Sequence, residues 1–457
     1  MKKVLFLTSN FPPNRSVGTQ RVTKILKYID TSKFEFHILT LKEKYYPGQF
    51  DANEILEKRL PNGLFIHRSD MTDLTSGFTH AKSFFKSKFK KTGSSTENMA
   101  TGAKKTTSSP RTGKPAAKGF FTRLAYSSRD FIFSILEFPD KHIGWLKSAV
   151  EDGVRIVKEN KIDVLFTTAP PHSLFVMAWL IKRKTGVKLV LDYRDPWALS
   201  RWDKGSALKT ASENFLEKRV VRSADAATFV TEKLRDEYAR HYKNYRPENF
   251  HVFYNGYDAD DFEGLQIPPN NGRPIRVVHL GSLYKKRNPE KLFLAVKNLK
   301  KRGILKEGDI RFEFIGFVAR ELSGLYDLIH EHALEKFIEF KENIAFHESI
   351  RTMYAADALL IVQPFTDLQV PAKLLEYMFT RRPILALAEH DSATDMVIRD
   401  GRLGFTAASQ DVAEIEQAII NLLEHLKNPQ FTPNETYIES FNMKNYIGKL
   451  EKILLEA

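Results

Sequence analysis

Residues 358–388, ALLIVQPFTDLQVPAKLLEYMFTRRPILALA, decide the fold. Ala358 to Val362 and Pro383 to Ala388 are short and almost wholly apolar, as strands buried on both faces are. Between them Pro371 opens a helix. Leu374, Leu375, Met378 and Phe379 form its apolar stripe, while Lys373, Glu376 and Tyr377 share another side at i, i+3, i+4 spacing. Strand, helix and strand in this order form a parallel βαβ unit. A lysine in a first helical turn opposes the helix dipole, so Lys373 reads either as a solvated partner of Glu376 or as a contact for a bound anion.

The same alternation extends outward in both directions. Upstream, Arg276 to Leu280, Arg311 to Ile315 and Phe337 to Phe340 read as strands, and the chain closes with a helix at Met443 to Leu455. Asn288 and Pro289 announce a helix, as cap and first position, straight after Lys285, Lys286 and Arg287. Three cations after a glycine turn and before a helix N-terminus make either a diphosphate cradle or an exposed basic loop. Earlier still, Lys3 to Asn10, Glu35 to Leu41, Asp163 to Thr168, Lys188 to Asp192, Ala226 to Val230 and Asn249 to Tyr254 read as strands. Helices are expected at His172 to Lys184, Glu213 to Arg222 and Glu232 to Tyr242. Gly18 stands in the first strand-to-helix loop and reads either as a turn glycine or as a point where the backbone approaches an anion closely, and no GxGxxG fingerprint occurs.

Asn255 to Pro274 has the turn-rich composition of a linker, so two doubly wound α/β domains are expected, at 1–260 and 274–430, with a last helix at 443–457. Ligands of such sheets gather at the carboxyl ends of the strands, and two such edges leave a cleft between them. His172 stands at one of these ends, and Asp192, Arg194, Asp195 and Trp197 at the next. Asp258 and Asp260 form a D-x-D, read here as linker turn residues rather than a metal site.

Composition narrows the class. The chain has no cysteine, which removes thiolate metal sites, disulfides and cysteine nucleophiles and fits a reducing cytosol. No apolar run approaches a membrane span, and the opening MKKVLFLTSNFPP reads as a first strand rather than a signal peptide. The net charge of +14 is concentrated between Ala81 and Arg123, where eleven Lys or Arg face a single acid, Glu97. Residues from about 70 to 123 read as a disordered insertion rich in Ser, Thr, Gly and Lys. Within it, AKSFFKSKFKK interleaves Phe84, Phe85 and Phe89 with five lysines, which suits either an anionic membrane surface or a solubilising loop. No nucleic-acid partner is expected, because no recognition fold accompanies the charge.

Seven stretches then come together: FPPNRSVGTQR, FPDKHIGW, DVLFTTAPPHS, VLDYRDPW, YNGYDADDF, LGSLYKKRNP and PAKLLEYMFTRRPILAL. In this order they closely resemble bacterial family 4 glycosyltransferases with the GT-B fold, two Rossmann-like domains facing across a cleft. The resemblance implies transfer of a sugar from a nucleotide-sugar donor, typically with retention and without a required metal or other cofactor. Glu376 looks like the family's second glutamate, which holds the donor ribose. Arg287 falls at the phosphate-binding position of the loop that starts at Gly281. Gly18 matches the glycine loop at the donor phosphates. Asp195 matches the aspartate of a His-Asp pair in which Arg194 replaces the histidine, a permanent cation in place of a titrating group. The last helix resembles one that crosses back to brace the N-terminal domain.

Other positions depart from the family. Leu368 stands where a first glutamate is expected; either Asp367, one residue away, or nearby backbone amides substitute, or the donor sugar is handled differently. Ser282 replaces a phosphate-binding arginine, leaving Lys286, Arg287 and Lys373 for that role. Arg381 takes the place of the usual glycine after the helix, where a left-handed residue costs about 1 kcal/mol. Candidate catalytic residues are thus His172, Arg194 and Asp195. Candidate donor-binding residues are Gly18, Gly281, Ser282, Lys286, Arg287, Lys373 and Glu376. The expected protein is a cytoplasmic transferase, peripheral on the inner membrane face through residues 81–123, acting on a lipid-linked or polysaccharide acceptor. A catalytically silent nucleotide-sugar scaffold and a GT-B epimerase are the alternatives.

Overall fold

The computed structural model describes residues 1–14, 16–46, 58–74, 136–200, 206–265 and 274–457. Seven strands form the first sheet: β1 (Lys2–Leu7), β2 (Phe34–Leu41), β3 (Phe65–Ser69), β4 (Val164–Ala169), β5 (Lys188–Tyr193), β6 (Ala226–Phe229) and β7 (Phe250–Val252). Their spatial order is β3-β2-β1-β4-β5-β6-β7, all parallel. The second sheet has β8 (Ile275–Leu280), β9 (Ile310–Ile315), β10 (Ile338–Lys341), β11 (Ala358–Gln363), β12 (Ile384–Ala388) and β13 (Gly404–Ala407), in the order β10-β9-β8-β11-β12-β13 and again parallel. Each sheet reverses its winding beside its first strand, between β1 and β4 and between β8 and β11. Those two switch points are where loops diverge and leave room for a ligand.

Helices cover both faces of each sheet, which is why most strands read as unbroken apolar runs. The final helix, Met443–Glu456, lies on the first domain. Its Met443, Tyr446, Ile447, Leu450, Ile453 and Leu454 share one core with Val4, Phe6, Val22, Ile25 and Phe36. The link between the domains is gripped by one face of the helix Val17–Tyr28. Arg21 donates to the carbonyls of Phe253 and Tyr254, Lys24 to that of Gly256, and Lys27 pairs with Asp258 and Asp260.

Several expectations shift. The first strand ends at Leu7 rather than Asn10, because the Asn10 N–H turns back to the Thr8 hydroxyl at 3.0 Å. Pro289 caps its helix, which begins at Glu290, and Asn288 accepts the Glu290 N–H at 3.0 Å. Tyr377 does not share a polar side with Lys373 and Glu376: it is fully buried, and its hydroxyl accepts the Leu280 N–H at 2.8 Å. Residues 70–74, expected at the start of the insertion, are part of the described fold. Asp70 pairs with Lys42 and Lys44, and the Thr72 N–H reaches the Gly144 carbonyl. The rest of the expected insertion, including 81–123, lies outside the described residues.

Candidate active site

The first wall of the cleft is built where β1, β4 and β5 end. Ser16 caps the helix Val17–Tyr28 and donates its hydroxyl to Asn10 at 2.8 Å. Asn10 and Arg194 both donate to the Pro170 carbonyl, so three loops meet at one oxygen. Gly18 is required there by space. A Cβ would stand 2.5 Å from an Arg194 guanidinium nitrogen and 2.6 Å from the Asn10 side chain, which is itself held in place. Beneath these loops Arg21 and Asp192 form a buried bidentate pair at 2.7 and 2.9 Å, and Thr168 and Thr228 donate to the same carboxylate. Arg21 uses all five of its N–H donors, the last on Asn255 at 2.7 Å. Burial alone would raise the Asp192 carboxyl, but the Arg21 charge and the hydrogen bonds outweigh it and hold the group low.

The second wall comes from the carboxyl ends of β8 and β11 and from the helix Ala372–Phe379. Arg287 donates to Gln363 at 3.2 Å and lies over the Tyr284 ring. Glu376 is 5% exposed and accepts Lys373 at 2.7 Å. Between the walls is a cavity of about 740 Å³. It brings Gly18, Arg21 and Lys24 opposite Lys286, Arg287 and Glu376, with Arg194 and Asp195 at its side. Burial pushes the Asp195 carboxyl up, against the charges of Arg194 and Arg287 and a hydrogen bond from Gln369. A concave site facing two helix N-termini, rich in cations and holding two carboxylates, is suited to a phosphorylated ligand with hydroxyl groups.

Sequence comparison matches residues 120–261 to the family model Glycosyltransferase Family 4 and residues 274–425 to Glycosyl transferases group 1. Together they span well over half of the chain. It belongs to the family 4-like glycosyltransferases. No curated protein matches the sequence significantly. Among solved structures, Anabaena HepE in complex with UDP is 12% identical with a TM-score of 0.62, and each chain is covered in full. Sucrose-phosphate synthase from Thermosynechococcus elongatus is 13% identical at 0.63, again with both chains covered in full. The UDP-GlcNAc 2-epimerase of Methanocaldococcus jannaschii is 12% identical at 0.52 over the full length of both. These likenesses are of fold, and they make this glycosyltransferase a GT-B protein.

Of the residues singled out from the sequence of this glycosyltransferase, Gly18, Arg194, Asp195, Lys286, Arg287 and Glu376 line the cavity. Four do not. His172 sits behind Pro170 and Pro171, stacked on Trp197 at 5.3 Å, and burial pushes its pKa down to about 4, so it is neutral at pH 7. Gly281 continues the end of β8, its N–H donating to the Ile315 carbonyl at 3.0 Å, and a Cβ there would meet only the His279 ring at 3.6 Å. Ser282 points to solvent. Lys373 reaches the site only through Glu376. The D-x-D acids are engaged by the first domain: Lys27 and Tyr28 donate to Asp258, and Lys27 pairs with Asp260 at 2.7 Å. Among the described residues no cluster of three His, Asp or Glu side chains is placed to hold a metal ion. Sequence reasoning missed Arg21, Lys24 and Gln369. The available signal for the first two was spacing, since Arg21, Lys24 and Lys27 recur every third residue along one helix.

Proposed function

We propose that the cavity is the donor site of a retaining sugar transfer. In this reading Gly18, Lys286 and Arg287 receive the diphosphate, Glu376 holds the ribose hydroxyls, and Arg194 and Asp195 stand beside the reacting carbon. The observation that carries it is the convergence of these side chains, from both domains, on one cavity. As the bond from the anomeric carbon to the phosphate oxygen breaks, negative charge grows on the leaving diphosphate. Cations facing that diphosphate lower the barrier, and they take the part a divalent ion would otherwise play. Asp195 and Glu376 are the only carboxylates lining the cavity among the described residues, and each is engaged, by Gln369 and by Lys373. The acceptor we propose is a lipid-linked or polysaccharide chain of the cell surface, met at the inner membrane face, with the basic segment 81–123 touching anionic lipid.

Thermal shift with UDP-, GDP-, dTDP- and CMP-sugars tests the donor. HepE's complexes with UDP and UDP-glucose make a UDP-sugar the first to try. At a hundredfold excess over Kd the true donor adds about 2.7 kcal/mol of stability. Glu376→Ala and Arg287→Ala are each expected to weaken nucleoside diphosphate binding at least about tenfold and to abolish turnover. Wild-type affinity in both variants refutes the placement. Exchange of a sugar carbon proton with solvent in the absence of acceptor would identify an epimerase instead.

A further inference from the structure

Between β11 and the helix that carries Glu376 runs the segment Thr366 to Pro371, and three consecutive residues in it make different contacts. The Asp367 main-chain carbonyl accepts the Ala393 N–H at 2.8 Å, fastening the segment to its own domain. Leu368 is buried in the core of the other domain, and its carbonyl accepts the hydroxyl of Thr231, the residue that caps the helix Glu232–His241. Gln369 lines the cavity and donates its amide to the Asp195 carboxylate across the cleft. The Thr394 hydroxyl donates to the Gln369 carbonyl at 3.3 Å, and Lys233 of the first domain donates to the Asp391 carbonyl of the second. The departure at Leu368 thus has a physical content: the side chain there anchors one domain to the other.

We propose that Gln369 is a positioning residue for the transfer, fixing the Asp195 carboxylate from the opposite domain so that this acid is set only when the domains meet. The proposal rests on the reading of the cavity as the transfer site. Asp195 faces Arg194 on its own loop and Arg287 from the second domain, while its backbone contacts the neutral His172. Either cation could draw the carboxylate toward itself. A neutral amide held by Leu368 and Thr394 fixes its direction without adding charge.

Gln369→Leu removes the donor and keeps most of the volume. With the donor identified by thermal shift, kcat is expected to fall at least about tenfold while the donor KM stays within about twofold. The acid limb of the kcat profile is expected to move to higher pH, because the ionised form of Asp195 loses a hydrogen bond that favours it. Gln369→Glu, which sets two carboxylates against each other, is expected to lose more at pH 8 than at pH 6. An unchanged kcat and pH profile in Gln369→Leu, or a loss confined to KM, overturns the proposal. Should no donor turn over in the wild type, the reading of the cavity fails first. Amide hydrogen exchange then tests the positioning contact itself, without any ligand. Faster exchange across 194–200 in Gln369→Leu, by at least about tenfold, with β5 and β11 unchanged, supports it, and equal exchange overturns it.

Discussion

Glu217 is fully buried, and its carboxylate accepts the Ala198 N–H at 3.1 Å and the hydroxyls of Tyr238 and Tyr242 at 2.6 and 3.0 Å. It thereby holds the loop that presents Arg194 and Asp195. Burial raises its pKa to about 7, the hydrogen bonds opposing only part of that shift. A carboxyl whose folded pKa lies above its unfolded value binds more protons in the native state. Its contribution to stability is full below the unfolded value near 4.5 and is lost as pH rises through 7. The amount is on the order of 3 kcal/mol for a shift of this size. Urea denaturation from pH 5 to pH 8 is therefore expected to show Glu217→Gln gaining on the wild type as pH rises. A constant difference between the two across that range would show that Glu217 does not titrate there. Arg21 illustrates the limit of reading single residues. Its partners Asp192 and Tyr254 lie 171 and 233 positions away, so nothing local marks it as the residue that ties the first domain to the link.

Among the elements, legibility followed burial. Strands covered on both faces, such as β4, β5, β11 and β12, read directly from apolar runs and agree with the structure to within one or two residues. The edge strands β3 and β13 were missed. FIHRS leaves Phe65 and Ile66 exposed and GFTA is four residues long, so neither shows the periodicity that a covered strand imposes. In the helix Ala372–Phe379, spacing located Glu376 but misassigned Tyr377, because a tyrosine with a buried hydrogen-bond partner looks like a polar-face residue from sequence alone. Arg381 does adopt the left-handed conformation, with φ of 56°, and its guanidinium offsets that strain with ion pairs to Glu435 and Glu439. The crossing helix was the most readable element by resemblance, and it carries a clear test. Leu450 is fully buried against the first domain, so Leu450→Ala is expected to cost about 2–5 kcal/mol in urea denaturation. A cost below about 0.5 kcal/mol would mean that the helix is not a working part of that core.

At the scale of the whole molecule, charge separates the transferase body from its insertion. Eleven of the 70 Lys and Arg residues fall between Ala81 and Arg123 against one acid, and this segment holds most of the net +14. Among the described residues no helix is long and apolar enough to cross a membrane, and the membrane contact proposed above rests on charge and a few aromatic side chains of this segment. A lysine near an anionic surface contributes about 1 kcal/mol, and the effect falls off within a Debye length of about 8 Å at physiological salt. If only three or four of the five lysines in AKSFFKSKFKK engage, binding changes by two to three orders of magnitude, with Phe84, Phe85 and Phe89 adding apolar contact. Deleting residues 81–119 is therefore expected to lower co-sedimentation with vesicles containing phosphatidylglycerol at least about a hundredfold. Raising the salt from 0.1 to 0.5 M should weaken the full chain and leave the deletion variant unaffected. Donor binding should survive, because the donor-binding residues proposed above, Gly18, Lys286, Arg287 and Glu376, lie outside the deleted segment. Unchanged vesicle binding in the deletion variant would assign the segment to solubility alone and leave the acceptor, rather than the bilayer, to bring enzyme and substrate together.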